Sequence, residues 1–329
     1  MIDIAINKLN NKEDLDEKTV EGVFDLILDG KMDEEKTALL LKLLAQKKES
    51  PIEIAFAAES MRKHADMLNA DMALLDTCGT GGDGKATFNI STAAGIVCSV
   101  FVPVAKHGNK AVSSKSGSAD VLEALGVKID RKKDEAYRFL KDKNFTFLFA
   151  PFYHPAMKNV AGVRKKLGIR TIFNLLGPLC NPFNPLYQVI GVFSEDFLHT
   201  MFEASALLGM DDVIFVSSKD GLDEVSLSDV TVCYKRERLN EEVFEFDPRE
   251  FGIYADIKEI KGGDAIKNAR LMVEMFKGEH KSLQNAVAIN AAFGLVISGV
   301  ESDLKKAFTL AKETITNGRA YEKLEEIRG

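Results

Sequence analysis

A glycine-rich segment lies where a β-prone run gives way to a helical pattern. The segment from Asp76 to Lys85 has the sequence DTCGTGGDGK, and a helix is predicted to begin near Asn89. Glycines let backbone N–H groups approach a phosphate closely, and the N-terminus of a following helix adds partial positive charge. The segment therefore predicts a phosphate-binding loop.

Two familiar motifs overlap in this loop, and neither is complete. Gly79 to Gly84 satisfies G-x-G-x-x-G, but a dinucleotide site expects an acidic residue about twenty positions downstream, and none occurs between Asp83 and Asp120. The loop also satisfies G-x-x-x-x-G-K, but Ala86 follows the lysine where a nucleoside-triphosphate loop needs Ser or Thr for magnesium. The first interpretation fails and the second is weakened.

The residues after the loop supply cations and small hydrogen-bond donors without a carboxylate. This composition, over Gly84 to Ala119, suits a ligand with several phosphate charges. An ordinary strand-to-helix turn followed by a solvated loop is the alternative. The cations and donors are Lys85, Lys106, His107, Lys110, Lys115, Asn89, Ser91, Thr92, Asn109, Ser113, Ser114, Ser116 and Ser118.

An ordered set of motifs along the chain resembles the anthranilate phosphoribosyltransferases. The later motifs discriminate best, because the first two recur in the related pyrimidine nucleoside phosphorylases. The motifs are GTGGD (79–83), NIST (89–92), KHGN (106–109), HPAMK (154–158), VR (163–164), GIRT (168–171), NLLGPL (174–179) and DE (223–224).

The resemblance implies transfer of a phosphoribosyl group from phosphoribosyl pyrophosphate to the amine of anthranilate, in tryptophan biosynthesis. It assigns to anthranilate Gly79, Asn109, His154 and Arg164, the arginine holding the carboxylate. It assigns to the donor Gly79, Gly82, Asp83, Thr87, Asn89, Ser91, Thr92, Lys106, Asn109, Ser114 and Ser118.

The resemblance also implies two Mg²⁺ ions, one touching Ser91 Oγ and a second held by Asp223 and Glu224. Oxygen ligands of this kind suit magnesium. Without the family pattern, adjacent acids after a glycine are typical of a solvated turn, and Arg164 beside two lysines is typical of a solvated helix face. We assign no general base, because an aromatic amine is neutral at pH 7 and can attack before it loses a proton.

Two positions depart from the family pattern. Lys110 stands where arginine is common, so it keeps the charge but loses the two-point fork of a guanidinium. Cys180 stands where threonine is common. The first departure bears on donor affinity rather than on the type of reaction.

The element pattern predicts a small N-terminal helical domain and a larger α/β domain with a mostly parallel central sheet, as in nucleoside phosphorylases and phosphoribosyltransferases. The domains are expected at 1–70 and 71–329, with about 160–180 joining the helical one. The region 236–261 is expected to form a loop or an excursion at the rim, and the last helix to end at Gly318. Strands are predicted at 74–77, 102–105, 145–149, 188–193, 213–217 and 230–234, and late helices at 266–277, 283–297 and 303–317.

Composition excludes several classes of protein. The formal net charge of −7 argues against a chain that coats nucleic acid. The four cysteines have no spacing typical of a disulfide framework or a zinc cluster. With no membrane segment in the pattern, we expect a cytoplasmic protein without nucleic-acid or membrane partners. The resemblance implies a homodimer.

Two rival functions remain open from the sequence. A pyrimidine nucleoside phosphorylase would use the same architecture with free phosphate and a nucleoside. A non-catalytic phosphate-ligand sensor would keep the loops without turnover. The paired acids and the 154–164 region favour the transferase over both.

Overall fold

The computed structural model describes residues 1–111, 115–238 and 240–328. The chain divides into two compact units. The first, here called the helical unit, comprises Met1–Leu68, Pro151–Asn184 and His199–Met210. The second, here called the α/β unit, comprises Asn69–Ala150, Pro185–Leu198 and Asp211–Gly329. The predicted fold class, a small helical domain with a larger α/β domain around a mostly parallel sheet, is confirmed.

Helices form most of the secondary structure. Short 3-10 helices at Pro155–Met157, Gly177–Leu179 and Ile257–Ile260 supplement them. None of the described helices is long and apolar enough to span a bilayer. The α-helices are α1 (Ile2–Asn10), α2 (Glu17–Leu28), α3 (Glu34–Lys47), α4 (Pro51–Lys63), α5 (Ile90–Cys98), α6 (Ser118–Ala124), α7 (Lys133–Lys143), α8 (Ala150–Tyr153), α9 (Lys158–Leu167), α10 (Phe173–Leu176), α11 (Glu195–Leu207), α12 (Ala265–Phe276), α13 (Lys281–Ile297), α14 (Leu304–Thr316) and α15 (Arg319–Arg328).

The described strands form one sheet in the order β3-β2-β1-β4-β5-β6-β7. The first five in this order run parallel, whereas β6 is antiparallel to β5 and β7 to β6. Strand order reverses between β1 and β4, the place where open α/β sheets bind ligands at the carboxyl ends of their strands. The strands are β1 (Leu75–Gly79), β2 (Val104–Gly108), β3 (Phe145–Phe149), β4 (Tyr187–Gly191), β5 (Asp212–Ser218), β6 (Thr231–Glu237) and β7 (Asn240–Phe246).

Side-chain caps fix the starts of three helices in the helical unit. Asp16 and Asp33 accept hydrogen bonds from the backbone N–H groups of Thr19 and Lys36, three residues into α2 and α3. At α4 the predicted capping box is present, with Ser50 and Glu53 each bonding the other's backbone N–H. These bonds satisfy donors that a helix leaves without an internal partner.

Helix α13 is the central helix of the α/β unit. Almost its whole length is buried, and it packs against α5 and α14. Helix α5, which follows the glycine loop, is also nearly all buried. A helix buried on all sides stays where its neighbours hold it, so α13 is a rigid base for the residues that contact it.

Two sequence-based expectations about this unit were wrong, namely the loop alternative for 236–261 and the predicted end of the last helix. The region 236–261 contains the end of β6, the edge strand β7 and a 3-10 helix instead of one loop. Strand β7 has the sequence NEEVFEF, which lacks a regular alternation and so gives only a weak strand signal. Pairing with β6 stabilises the strand, and Glu241 accepts a hydrogen bond from Arg236 Nε at 2.8 Å. The chain also continues beyond Gly318 into α15, which buries only one narrow stripe.

We predict a large loss of stability for Glu53→Ala. The buried carboxylate accepts hydrogen bonds from Leu15 N at 3.0 Å, Ser50 N at 2.8 Å and Lys47 Nζ at 2.9 Å. The two backbone N–H groups lose their acceptor, and Lys47 keeps its bonds to Asp14 and to its neighbour's carbonyl. Removing one partner of such a buried charge pair costs about 3–5 kcal/mol. Chemical denaturation measures the change in unfolding free energy. Glu59→Ala, which removes a half-exposed ion pair with Lys63, is the control and should cost below about 0.5 kcal/mol.

Candidate active site

The glycine loop begins at the carboxyl end of β1, beside the point where strand order reverses. Gly81, Gly82 and Gly84 have φ of 66°, 77° and 72°, a region that L-residues rarely adopt. At Gly79 a Cβ would lie 2.7 Å from Asp223 Oδ2, so the missing side chain lets the backbone approach that carboxylate. Three of these glycines are therefore required for the backbone angles of the loop, and Gly79 is required for the close approach of the backbone to Asp223.

The paired acids lie against the N–H donors of this loop and of α5. Asp223 Oδ2 accepts a hydrogen bond from Gly81 N at 2.7 Å, and Glu224 Oε1 accepts one from Ser91 N at 2.8 Å. Burial raises the pKa of Glu224 well above its ordinary value, the charge of Asp223 raises it further, and the Ser91 N–H opposes the shift. The part of the sequence that lacks acids is thus placed next to two carboxylates from a distant segment.

The backbone of Asp223 packs against the end of β4. Gly191 is the register partner of Gly79, and a Cβ on Gly191 would lie 1.6 Å from the carbonyl oxygen of Asp223. Because real Cβ atoms never come this close to an oxygen, only glycine permits this packing. The acid pair therefore lies at the carboxyl ends of both central strands.

Lys106 is a buried cation next to the loop. Its side chain extends from β2, is 2% exposed, and donates a hydrogen bond from Nζ to the carbonyl oxygen of Thr77. Buried lysines need a hydrogen-bonding or charged partner to offset the loss of water. The ammonium is consequently fixed beneath the glycine loop.

The start of α5 is tied to two other segments through Asn89. Its Nδ2 donates to the carbonyl oxygen of Ser116 at 3.2 Å, and its Oδ1 accepts from Asn268 Nδ2 of α12 at 2.8 Å. Thr92 is buried in the first turn of α5. The orientation of this helix N-terminus therefore depends on residues far away in sequence.

The residues between the glycine loop and α5 pair with a segment that the sequence did not implicate. Thr87 forms an isolated antiparallel bridge with Lys261, and Gly262 N donates to the carbonyl oxygen of Ala86 at 3.0 Å. Asp83 Oδ1 accepts from Lys85 N at 3.1 Å. These bonds close the far end of the loop.

Asn109 and Ser118 face each other after β2. Ser118 Oγ donates to the carbonyl oxygen of Asn109 at 3.4 Å, while Lys110 Nζ pairs with Glu123 at 2.8 Å. That ion pair raises the pKa of Lys110. In this structure Lys110 thus has an acidic partner on α6. Ser114, also assigned to the donor, lies outside the described residues.

His154 and Arg164, which the resemblance assigns to anthranilate, belong to the helical unit. His154 is 3% exposed. Burial lowers its pKa to about 4, although a hydrogen bond with the backbone of Cys180 acts in the opposite direction. Arg164 lies on α9, with Cζ 5.6 Å from the ring centroid of Phe173. Burial lowers the pKa of Arg164, and no carboxylate of the described residues pairs with it. Cys180 is itself buried, with a pKa raised to about 12.

The structure therefore brings together described residues of the α/β unit that the resemblance assigns to the donor and the metal, from the ends of β1 and β2, the start of α5 and the loop that packs on β4. Two further residues in this network were not identified from sequence: Asn268, which bonds Asn89, and Asn290, which bonds Val225. Asn290 stands in the apolar stretch from Ala286 to Ala292. A lone amide in such a stretch is the signal that could have found it, since buried polar groups need partners.

Comparisons with known proteins agree with this geometry. Residues 71–321 match the glycosyl transferase family a/b domain, and residues 4–65 match the helical bundle domain of the same family. Anthranilate phosphoribosyltransferase of Thermoanaerobacter sp. (strain X514) is 43% identical over 99% of this chain and 98% of its own length.

Solved structures give the same result. The crystal structure of anthranilate phosphoribosyltransferase from Thermus thermophilus has a TM-score of 0.92 and 39% identity over 98% of each chain. The enzyme from Saccharomyces cerevisiae, solved in complex with PRPP and Mg, has a TM-score of 0.90 and 29% identity over 99% of this chain and 96% of its own. With identity at this level over nearly the full length, the chain belongs to the anthranilate phosphoribosyltransferase family.

Proposed function

We propose that the chain transfers the phosphoribosyl group of 5-phosphoribosyl 1-pyrophosphate to the amine of anthranilate. The products are N-(5-phosphoribosyl)anthranilate and pyrophosphate, the second step of tryptophan biosynthesis from chorismate. The observation that carries the proposal is the placement of Asp223 and Glu224 on the N–H groups of Gly81 and Ser91, which joins a metal-binding pair to a phosphate-binding loop. A nucleoside phosphorylase, which binds free phosphate, does not account for this pair.

The chemistry requires charge stabilisation more than proton transfer. The nitrogen lone pair attacks the anomeric carbon, the bond from that carbon to the pyrophosphate oxygen breaks, and its electron pair leaves with pyrophosphate. The attacking nitrogen then releases a proton to solvent. The glycine-loop N–H groups, the N-terminus of α5 and Lys106 are suited to stabilise the negative charge that develops on the leaving group.

The residues present fit magnesium. Asp223 and Glu224 offer carboxylate oxygens within one loop, and Ser91 offers a hydroxyl on the helix to which Glu224 is hydrogen-bonded. We assign one ion to Ser91 and a second to Asp223 and Glu224. A bound divalent cation would neutralise charge on the pyrophosphate. The chain's own part is to present these oxygens next to the loop N–H donors.

Arg164 is proposed to hold the carboxylate of anthranilate. Its guanidinium is free of any carboxylate partner among the described residues and rests near the ring of Phe173. A guanidinium binds a carboxylate as a two-point fork. A partly buried arginine without a counter-ion has a strong tendency to accept an anionic ligand. The resemblance also assigns Gly79 and Asn109 to anthranilate.

His154 enters the proposal as a neutral ring. A pKa of about 4 leaves it uncharged at pH 7, so it can line an aromatic pocket but cannot add a second cation. This agrees with a reaction that needs no general base.

A homodimer in the cytoplasm also belongs to the proposal. Support for the dimer comes from large apolar side chains that are exposed on the helical unit, namely Ile4 of α1, Leu39 of α3 and Ile52 of α4.

The fluorescence of anthranilate tests the function directly. We expect the signal to disappear only when both phosphoribosyl pyrophosphate and Mg²⁺ are present. Asp223→Asn combined with Glu224→Gln should raise the Mg²⁺ concentration needed for half-maximal activity and slow turnover, because both ligand charges are lost. Glu242→Gln on the exposed edge strand is the control. Turnover that needs no metal, or a double variant with the parental Mg²⁺ dependence, would contradict the assignment.

Arg164→Ala should mainly raise the KM for anthranilate. Loss of a charged hydrogen bond costs about 1.5–3 kcal/mol, which corresponds to roughly 10- to 150-fold. Steady-state kinetics with each substrate varied in turn measure the effect, and the KM for the donor should stay near the parental value. Lys166→Ala on the same helix removes an exposed ion pair with Glu34 and serves as the control. An unchanged KM for anthranilate in Arg164→Ala would place the acceptor elsewhere.

His154 should make the helical unit less stable as the pH falls from 6.5 toward 4. In this range the unfolded ring, with its ordinary pKa of 6.5, takes up a proton that the buried ring does not. The full effect is about 3.5 kcal/mol, at about 1.4 kcal/mol per pKa unit. Denaturation at several pH values measures it, and His154→Gln should remove most of this dependence. His199→Gln, at an exposed position, should retain it; equal slopes in all three proteins would refute the assignment.

A further inference from the structure

Asn290 makes both of the hydrogen bonds that the backbone of Val225 can form. Val225 N donates to Asn290 Oδ1 at 3.0 Å, and Asn290 Nδ2 donates to the carbonyl oxygen of Val225 at 2.9 Å. Asn290 Nδ2 also donates to the carbonyl oxygen of Ala286, one turn earlier in α13, at 2.9 Å. The amide thus forms the same pair of bonds that a neighbouring β-strand would form.

Val225 needs such a partner because it is buried outside any strand. It is fully buried in the connection between β5 and β6, which leaves its N–H and carbonyl without a partner in the sheet. Buried backbone groups without partners are costly, so one side chain satisfies both. Asn290 is 6% exposed and lies on α13, a helix that is buried along almost its whole length.

Val225 directly follows the acid pair. A small cavity is lined by Ser91, Asp223, Glu224 and Asn290 among others. On the N-terminal side, the carbonyl of Asp223 packs against the surface of Gly191. The two acids are thereby held between one steric contact and one pair of hydrogen bonds.

We propose that Asn290 is a positioning residue for the acid pair: by fixing the backbone of Val225 on α13, it sets the direction of the Asp223 and Glu224 carboxylates toward the donor site. This inference rests on the proposed function, in which these acids hold the metal that accompanies the donor. Asn290 acts through the backbone and touches neither substrate.

The test compares substitutions at Asn290 with matched substitutions at Asn285. Asn290→Leu removes both bonds to Val225, and Asn290→Ser leaves a hydroxyl too short to reach it. Asn285 lies on the same helix but accepts from Lys312 Nζ at 2.8 Å, and Gln284 also accepts from that ammonium. Asn285→Leu and Asn285→Ser therefore disturb the same helix without releasing the acid pair.

Calorimetric titration with phosphoribosyl pyrophosphate, with Mg²⁺ and with a chelator, gives a readout independent of turnover. We expect both Asn290 variants to lose about tenfold or more in Mg²⁺-dependent donor affinity, at 1.4 kcal/mol per tenfold, with the KM for anthranilate unchanged. Both Asn285 variants should bind within about twofold of the parent at a comparable melting temperature.

Parental affinity in a folded Asn290 variant would overturn the inference, and so would an equal loss in the Asn285 variants. If Asn290→Leu does not fold, the affinity of Asn290→Ser decides by the same criteria. A parent protein that binds the donor equally well with the chelator would overturn the proposed function, and this inference with it. The two failures are therefore distinguishable.

Discussion

Two backbone hydrogen bonds organise the site. The N–H groups of Gly81 and Ser91 each hold a carboxylate, from Asp223 and Glu224 respectively, although the partners are 142 and 133 residues apart in sequence. Both bonds require the loop after β5 to reach the ends of β1 and β4. That reach exists because strand order reverses there, which leaves a crevice at the carboxyl ends of the strands.

The same arrangement explains the charge balance of the site. A window of the chain with lysines and no acids would be strongly positive by itself, but folding places two carboxylates against it. In the proposed function, phosphate and divalent cation are complementary to different halves of one site, and each would bind more favourably when the other is present. Burial makes this mutual dependence stronger, since charges without a partner are costly away from water.

Sequence reasoning succeeded where the chemistry is local. A few consecutive residues encode each of three features: the glycine loop, the helix start at Asn89 and the capping box at Ser50. Each was predicted from residue types and their spacing. The strands of the parallel sheet were found for the same reason, because continuous β-branched and aromatic runs mark buried strands. The roles of His154 and Arg164 came from family resemblance.

Local reasoning failed where a residue acts on a partner far along the chain. Asn268 and Asn290 bond segments 179 and 65 residues away, and nothing near either residue identifies its partner. Strand β7 was missed because its three glutamates are typical of a solvated loop, and only the pairing with β6 makes the segment a strand. Helix α15 was missed because its buried stripe consists of only three residues, namely Ala320, Leu324 and Ile327.

The close contact between Asp223 and Gly191 of β4 also limits which substitutions the fold can accept. At Gly81 and Gly84 the surrounding space is open, so only the backbone angle restricts the residue, and asparagine or aspartate can adopt such angles at modest cost. At Gly191 the restriction is volume itself. Substitutions at the rim of the loop are therefore compatible with the fold, whereas position 191 must remain glycine. A homologue or variant with another residue at 191 could not keep the acid pair in its present place.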